Sequence, residues 1–342
     1  MRKLLNVLYV LTQDSYLYHQ NEAICIKIGG TEKTRIPSHT IESIMCFGNT
    51  TVSTPFIEFC GLHRISLAFL SPYGKFYGRI YGPVTGNVLL RKKQFEALDN
   101  KTLSSTIAKS ILLTKFANCR TYLLRSAREQ TVDTKRINLT LAADKISDSA
   151  KLLIDSNDLE SMRGIEGKAA SDYFSVFDEM LKVPKEELVF DKRSRRPPEN
   201  EVNALLSFLY MLLKNSVQSA LECVGLDPAV GFLHALRPGR PALALDLMEE
   251  LRAPLCDRMA ISLINLRQIK ASDFENLNGR YILSDKARRI VIDEWQKRKR
   301  EEILHPFINE KIEIGLIPYV SSQLLARVLR GDLDEYPAFL WR

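Results

Sequence analysis

The chain has no CxxC pair, no glycine-rich GxGxxG or P-loop motif, and no run of 18 or more apolar residues. Each absence excludes a class. Without paired CxxC spacing, the six cysteines (Cys25, Cys46, Cys60, Cys119, Cys223 and Cys256) indicate neither a structural zinc nor a disulfide framework. They read as small buried apolar residues of a cytoplasmic protein. Nucleotide binding by the two glycine-rich routes is unsupported, and no membrane span is expected. Residues 1–11 imitate a signal peptide, but Asn6 interrupts the apolar run and Gln13-Asp14-Ser15 reads as a turn, so a first strand is the better reading. Solenoid-period repeats and low-complexity tracts are also missing.

What is present is ordinary in bulk. Of 342 residues, 45% are hydrophobic and 26% charged, with a formal net charge of +7. That length suits two domains or one large one. The modest basic excess permits a polyanionic partner without demonstrating one.

Periodicity divides the chain. Residues 1–86 carry short runs rich in Ile and aromatics, such as 23–28, 41–47, 65–70 and 76–81, separated by Gly, Pro and Asn. These are strand signals and suit a small β-sandwich or twisted double sheet. One short helix is expected among them, with Thr54 as cap, Pro55 in its first turn and Gly61 at its stop. After Gly82-Pro83-Val84-Thr85-Gly86 the apolar spacing becomes three and four. Helices are predicted over 89–97, 103–128, 139–154, 159–181 and 199–223, and from 241 to the end with breaks near Pro254, Pro306 and Pro318. The expected fold class is α+β: a β-rich domain over 1–86, for dimerisation or protein contacts, and a larger all-α domain over 87–342 carrying the active site. Tyr73, Phe76, Tyr77 and Tyr81 look exposed on the first domain.

Some residues are costly unless they have a task. Glu166 lies in a helical segment between Gly164 and Gly167. Two glycines three apart leave two bare spots on one face, either for tight helix packing or for close approach of a ligand. His234 stands at a Pro/Gly-rich break, where sites are often carried. Asp246 and Glu249 lie in the run Leu243–Arg252, apolar nearly all round, and share one helical face. Two such carboxylates require a cation: Arg237, Arg240, Arg252 or a metal ion. One His with two carboxylates suits Mg²⁺ or Mn²⁺. Tyr210, in an apolar helix, is either core or a phenol beside that site. Basic clusters are the second signal: Arg91-Lys92-Lys93, Lys192-Arg193 with Arg195-Arg196, Lys286 with Arg288-Arg289, and Lys297–Arg300. The loop ending in Arg196 runs into Pro197-Pro198, and a basic loop beside a helix start is a candidate phosphate clamp.

The order of these segments resembles the CRISPR-associated protein-one family, the integrase and endonuclease of spacer acquisition. The matching pieces are Gly164-Ile165-Glu166-Gly167 with Ala169-Ala170 and Tyr173, and Arg195-Arg196-Pro197-Pro198 with Asn203–Ser207 and Tyr210. Gly231-Phe232-Leu233-His234 with Gly239-Arg240 follows, then Asp246-Leu247-Met248-Glu249 with Arg252 and Pro254, and finally Leu324–Arg327 with Tyr336. Within the family the chain looks most like type I members, subtype I-C among them. The resemblance implies a Mg²⁺ or Mn²⁺ site on Glu166, His234 and Glu249, with Asp246 as an additional acidic position and Tyr210 close by. It implies insertion of short DNA into a repeat array by 3′-hydroxyl transesterification. Double-stranded DNA would be held by Lys192, Arg193, Arg195, Arg196, Arg237, Arg240, Arg252, Lys286, Arg288 and Arg289. It also implies a homodimer and a small CRISPR adaptation partner bridging two dimers, with residues 332–336 as a candidate surface. A generic metal-dependent DNA nuclease and a non-enzymatic DNA-binding assembly protein are the alternative classes.

Overall fold

The computed structural model describes residues 5–74, 76–80, 82, 88–195 and 197–341. The chain divides into two compact units, Met1–Gly86 and Asn87–Arg342. Arg196 and Tyr81, both singled out above, lie outside the described residues.

The first unit holds two four-stranded sheets. One is formed by β1 (Asn6–Val10), β5 (Ile41–Phe47), β7 (Ser66–Leu70) and β8 (Phe76–Ile80), in that order. β1, β5 and β7 run parallel, and β8 is antiparallel to β7. The other is ordered β4 (Thr31–Pro37), β3 (Ala23–Ile28), β2 (Ser15–Gln20), β6 (Thr50–Val52). Their inner faces share one core, in which Val10, Ile44 and Leu67 meet Leu17 and Ile24, with Phe56 and Cys60 of helix α1 (Thr54–Leu62). Ser53, not Thr54, caps that helix, its hydroxyl accepting from Phe56 N at 3.3 Å. β4 escapes the periodicity reading because its sequence, TEKTRIP, is exposed on nearly every residue. It pairs through its backbone with β3 across Gly29-Gly30, both at positive φ, and its charges suit an unpaired edge. Tyr73, Phe76 and Tyr77 are exposed on this unit.

The second unit is helical. Its long elements are α2 (Val88–Asp99), α3 (Lys101–Arg128), α4 (Asp133–Asp155), α5 (Leu159–Ser175) and α6 (Glu201–Val224). α7 (Ala242–Met248), α8 (Arg258–Asn265), α9 (Asp285–Arg300) and α10 (Ile317–Arg330) follow. Caps set the starts: Asn100, Asp158, Asn200 and Ser284 each accept from a backbone N–H three residues on. α6 stops at Gly225, at φ 92°. The helical reading of 159–181 is divided, α5 ending at Ser175 before a 3₁₀ turn over Phe177–Met180. The helical reading beyond 241 also overlooked two hairpins, β9 (Phe274–Leu277) with β10 (Arg280–Leu283), and β11 (Glu302–Leu304) with β12 (Lys311–Glu313). These strands are only three or four residues long, too short to impose a period. Of the cysteines, Cys223 is exposed and the other five are buried. No helix among the described residues is long and apolar enough to cross a membrane.

The expected break near Pro254 takes the form of a change in helix type rather than a loop. α7 passes through a 3₁₀ turn (Glu249–Leu251) and a π-helical segment (Arg252–Asp257) into α8. Proline has no N–H to give to the carbonyl four residues back, which is that of Glu250. Asn118 of α3 donates to that carbonyl instead, Nδ2 to O 2.8 Å. The same amide reaches Phe339 O at 3.0 Å, and its Oδ1 accepts from Trp341 N at 2.8 Å. The Glu250 carboxylate takes the hydroxyl of Tyr336 at 2.9 Å and the N–H of Phe339 at 2.5 Å. The carboxy-terminal tail is thus strapped to the widened turn, and Tyr336, the last residue of the candidate partner surface over 332–336, is buried. Asn118→Ala should cost about 2 kcal/mol or more, since it orphans several buried polar groups. Hydrogen exchange at Phe339 and Trp341 should rise well before global unfolding; unchanged protection there would refute the strap.

Candidate active site

Three elements bring charges to one buried place. α3 supplies Lys115, α5 supplies Glu166, and the 3₁₀ turn after α7 supplies Glu249. Lys115 Nζ pairs with Glu166 Oε1 and lies 2.8 Å from Glu249 Oε2. Arg252 Nη1 approaches the other oxygen of Glu249 at 2.7 Å. Glu249 is 3% exposed, so the Lys115 ammonium and the Arg252 guanidinium, rather than water, compensate its charge. Burial alone would raise its pKa. Arg252, Lys115 and His234 outweigh burial and hold it down to about 2. Burial likewise works against the Lys115 ammonium, but Glu249 and Glu166 raise its pKa on balance.

His234 joins through Glu249, its Nε2 lying 3.7 Å from Oε1. Its other ring nitrogen is taken. Nδ1 sits 2.6 Å from Asp246 Oδ1, which also accepts from the His234 backbone N–H at 2.9 Å. Asp246 Oδ2 accepts from Phe232 N at 2.6 Å and Leu233 N at 3.0 Å. So Asp246 is fully occupied in gripping the loop and orienting the imidazole, and its charge is compensated by N–H groups rather than by a shared cation. Gly231 is required for this grip: a Cβ there would stand 2.6 Å from Asp246 Oδ2 and from the Ala242 carbonyl carbon. Arg163 of α5 ties the loop down, donating to Leu233 O at 2.6 Å. Among the cations weighed for the acidic pair, Arg252 meets Glu249, whereas Arg237 is exposed and Arg240 half-buried.

The glycines flanking Glu166 are exposed, and a Cβ on Gly164 or Gly167 would meet nothing within 4 Å. The bare face of α5 therefore serves no helix packing and is open to a ligand. Beyond Glu166 and Glu249 the site opens into a pocket lined also by Tyr173, Tyr210, Arg195 and Asp257. Tyr210 donates to Asp257 Oδ1 at 2.6 Å and Tyr173 to Oδ2 at 3.0 Å. The guanidinium carbons of Arg193 and Arg252 each stand 5.2 Å from the Tyr210 ring centroid. Burial raises the Asp257 pKa to about 6, although both phenols and both arginines oppose it.

The family is settled by comparison with known proteins. The CRISPR associated protein Cas1 family matches residues 8–297. The chain belongs to that family. It is 46% identical over 347 residues, covering both chains fully, to the CRISPR-associated endonuclease Cas1 2 of Rhodospirillum rubrum. It is 46% identical over 343 residues, again covering both chains, to the CRISPR-associated endonuclease Cas1 1 of Moorella thermoacetica. A solved Cas1 protein from Thermotoga maritima, 26% identical, superposes with a TM-score of 0.82 over 95% of this chain and 97% of that one. The chain is accordingly a CRISPR-associated nuclease with a β-rich domain followed by a helical one.

Within this Cas1 chain the basic residues separate by exposure. Lys192, Arg195, Arg237, Lys286 and Arg289 are exposed. Arg193 is committed inward: Nη1 bonds Asn203 Oδ1 at 2.7 Å, and Nη2 bonds Ser207 Oγ at 3.3 Å. Asn203 pins the same loop through Lys192 O at 2.8 Å and Ser194 N at 3.0 Å. Two of the residues expected to contact DNA are turned inward. Arg288 lies on the inner face of α9, 3% exposed and paired with Asp285, and Arg252 is spent on Glu249. Helical phase decides this, because 286 and 289 project outward while 288 turns in.

Sequence reasoning overlooked Lys115 and Asp257. A signal for Lys115 existed: it falls on the stripe of Ile111, Leu112, Phe116 and Cys119, all buried, where a lone lysine needs partners. Asp257, amid a Pro-containing run, offered no comparable clue.

Asp257 yields a pH test. With a folded pKa near 6 against an ordinary 3.8, its native form holds a proton that the unfolded chain releases. Its contribution is intact below about pH 3.8 and lost as pH rises past 6. Asp257→Asn should therefore gain stability relative to wild type between pH 4 and 7, on the order of 3 kcal/mol. Chemical denaturation at both pH values checks this; a difference independent of pH would refute it.

Proposed function

We propose that this nuclease is a divalent-metal-dependent DNA integrase of CRISPR adaptation, with Glu166, His234 and Glu249 as ligands for Mg²⁺ or Mn²⁺. The observation that supports the reading is that one ammonium, that of Lys115, pairs with both Glu166 and Glu249, while His234 Nε2 lies 3.7 Å from Glu249 Oε1. Among the described residues no three His, Cys, Asp or Glu side chains form a ready cation cage, and the Lys115 ammonium is paired with both glutamates. The donor chemistry nonetheless fits. Two carboxylates and one imidazole suit a hard ion with some nitrogen affinity. Glu249 keeps its charge, and its buried Oε2 is met by an ammonium, 2.8 Å away, rather than by a backbone N–H. The imidazole has one nitrogen fixed by Asp246, leaving Nε2 on the site side.

When bound, such an ion lowers the pKa of an attacking 3′-hydroxyl and neutralises charge gathering on the scissile phosphate. The chain supplies the rest. Asp246 holds the His234 tautomer, and Arg252 keeps Glu249 ionised. The exposed glycine face of α5 admits a DNA backbone near Glu166, and Arg195 reaches phosphates from the pocket edge. Lys192, Lys286 and Arg289 extend a positive surface for double-stranded DNA. Insertion at two nearby phosphates needs two such sites at a set spacing, which a two-fold homodimer provides. A small adaptation partner bridging two dimers completes the proposal. Residues 332–335, of which Asp332, Asp334 and Glu335 are exposed, remain available to it.

Strand transfer of a short duplex into supercoiled DNA in Mn²⁺ tests the ligands. Glu166→Ala, His234→Ala and Glu249→Ala should each lose about 100-fold or more in rate, and Asp246→Asn about 10- to 100-fold. Folded variants with full activity would sink the assignment. Arg195→Ala should weaken DNA binding and reduce the salt slope by about 1, without lowering the unfolding midpoint. Arg193→Ala should lower that midpoint as well. Equal effects of the two on stability would contradict the division of labour drawn between them.

A further inference from the structure

We propose that Lys115 is the resident counter-cation of the site, holding Glu166 and Glu249 together until a divalent ion displaces its ammonium from between them. The inference rests on the metal-site reading above. Three observations lead to it.

The first is position. Lys115 is the group that links the two glutamates, paired with Glu166 Oε1 and 2.8 Å from Glu249 Oε2. Arg252 sits on the other side, at Glu249 Oε1, and does not occupy the gap. The second is burial. The Lys115 side chain is 10% exposed and that of Glu249 3%, so neither charge has water enough to stand alone. Without a cation between them, the two carboxylates would repel across a poorly hydrated gap. The third is chemistry. Lysine presents a compact point charge on a flexible four-carbon stem, so it can leave without dragging the backbone, whereas the planar guanidinium of arginine grips carboxylates more rigidly.

An ammonium and a divalent ion cannot share the same two oxygens at contact distance. Each excludes the other, so the affinity for metal is set partly by the cost of moving Lys115. The displaced ammonium stays tethered to α3 beside the pocket that holds Arg195 and Tyr210, where a phosphate oxygen can replace the carboxylates it has left. Lys115 is in this sense a positioning residue for the metal-free state.

The full-length protein tests this without any turnover. Mn²⁺ affinity is read from the electron paramagnetic resonance of free hydrated Mn²⁺, and folding from thermal unfolding in EDTA. Lys115→Met should lower the unfolding midpoint in EDTA by several degrees. It should bind Mn²⁺ about tenfold tighter than wild type, with added Mn²⁺ restoring the midpoint. Lys115→Arg should keep the midpoint in EDTA and bind Mn²⁺ more weakly than wild type. Should Lys115→Met fail to fold, Lys115→Gln carries the same expectation, being neutral yet still able to donate. Mn²⁺ affinity equal to or weaker than wild type in a folded neutral variant overturns the proposal. Glu249→Gln separates the two levels. If it loses Mn²⁺ binding while the neutral Lys115 variant gains nothing, the metal site stands and the lysine role falls. If Glu249→Gln binds Mn²⁺ like wild type, the metal-site reading itself fails and this inference with it.

Discussion

Glu249, 3% exposed, keeps its charge because cations stand against it, one on each oxygen. Arg252 and Lys115 arrive from different elements, and neither would be stable where it is without Glu249. The cluster is therefore mutual, in the manner of buried ion networks that stand or fall together. Glu166 and His234 attach to it at its edges, partly open to the pocket. What the site offers a ligand is a set of charges already held apart from water.

The backbone that carries Glu249 is itself irregular, and the irregularity has a chemical cause. Pro254 withholds one hydrogen bond, the helix widens, and Asn118 takes the freed carbonyl. Successive residues on this stretch then serve different partners: Glu249 meets the site, and Glu250 meets the carboxy-terminal tail through Tyr336 and Phe339. One amide on α3 thus links the tail to the turn that bears the candidate ligand, while Lys115, three residues earlier on the same helix, supplies the counter-charge. An unbroken α-helix would have kept Glu249 and Glu250 on a regular spiral, with no carbonyl left for Asn118.

Much of the fold was legible because periodicity is a strong signal in long amphipathic segments. α3 and α6 appear within two residues of their expected spans, α4 begins six residues earlier than expected, and the Pro/Gly break around His234 is a loop. The signal failed where the physics is not periodic. β4 is exposed along nearly its whole length, with Ile36 alone of its residues packed on the core, and is held mainly by backbone pairing. The β9–β10 and β11–β12 hairpins are too short to alternate usefully. The split of the run at 159–181 depends on a local 3₁₀ turn rather than on any break in apolar spacing. The acidic pair shows the limit for sites. Spacing of three placed Asp246 and Glu249 on one face, yet Asp246 turns to the N–H groups of the 232–234 loop and Glu249 to cations. Composition alone could not choose between those fates, since both satisfy a buried carboxylate.

The sequence by itself determined the division into a strand-rich and a helical part, the candidates Glu166, His234 and Glu249, and the family resemblance that joined them. These are readable because apolar period, glycine placement and motif order are local properties of the chain. Only the tertiary structure decided which basic residues face solvent, which carboxylate orients the imidazole, and that a lysine 51 residues from Glu166 lies between the two glutamates. Those outcomes depend on contacts between helices distant in sequence, where compensation of a buried charge is settled by whichever group the packing brings within about 3 Å.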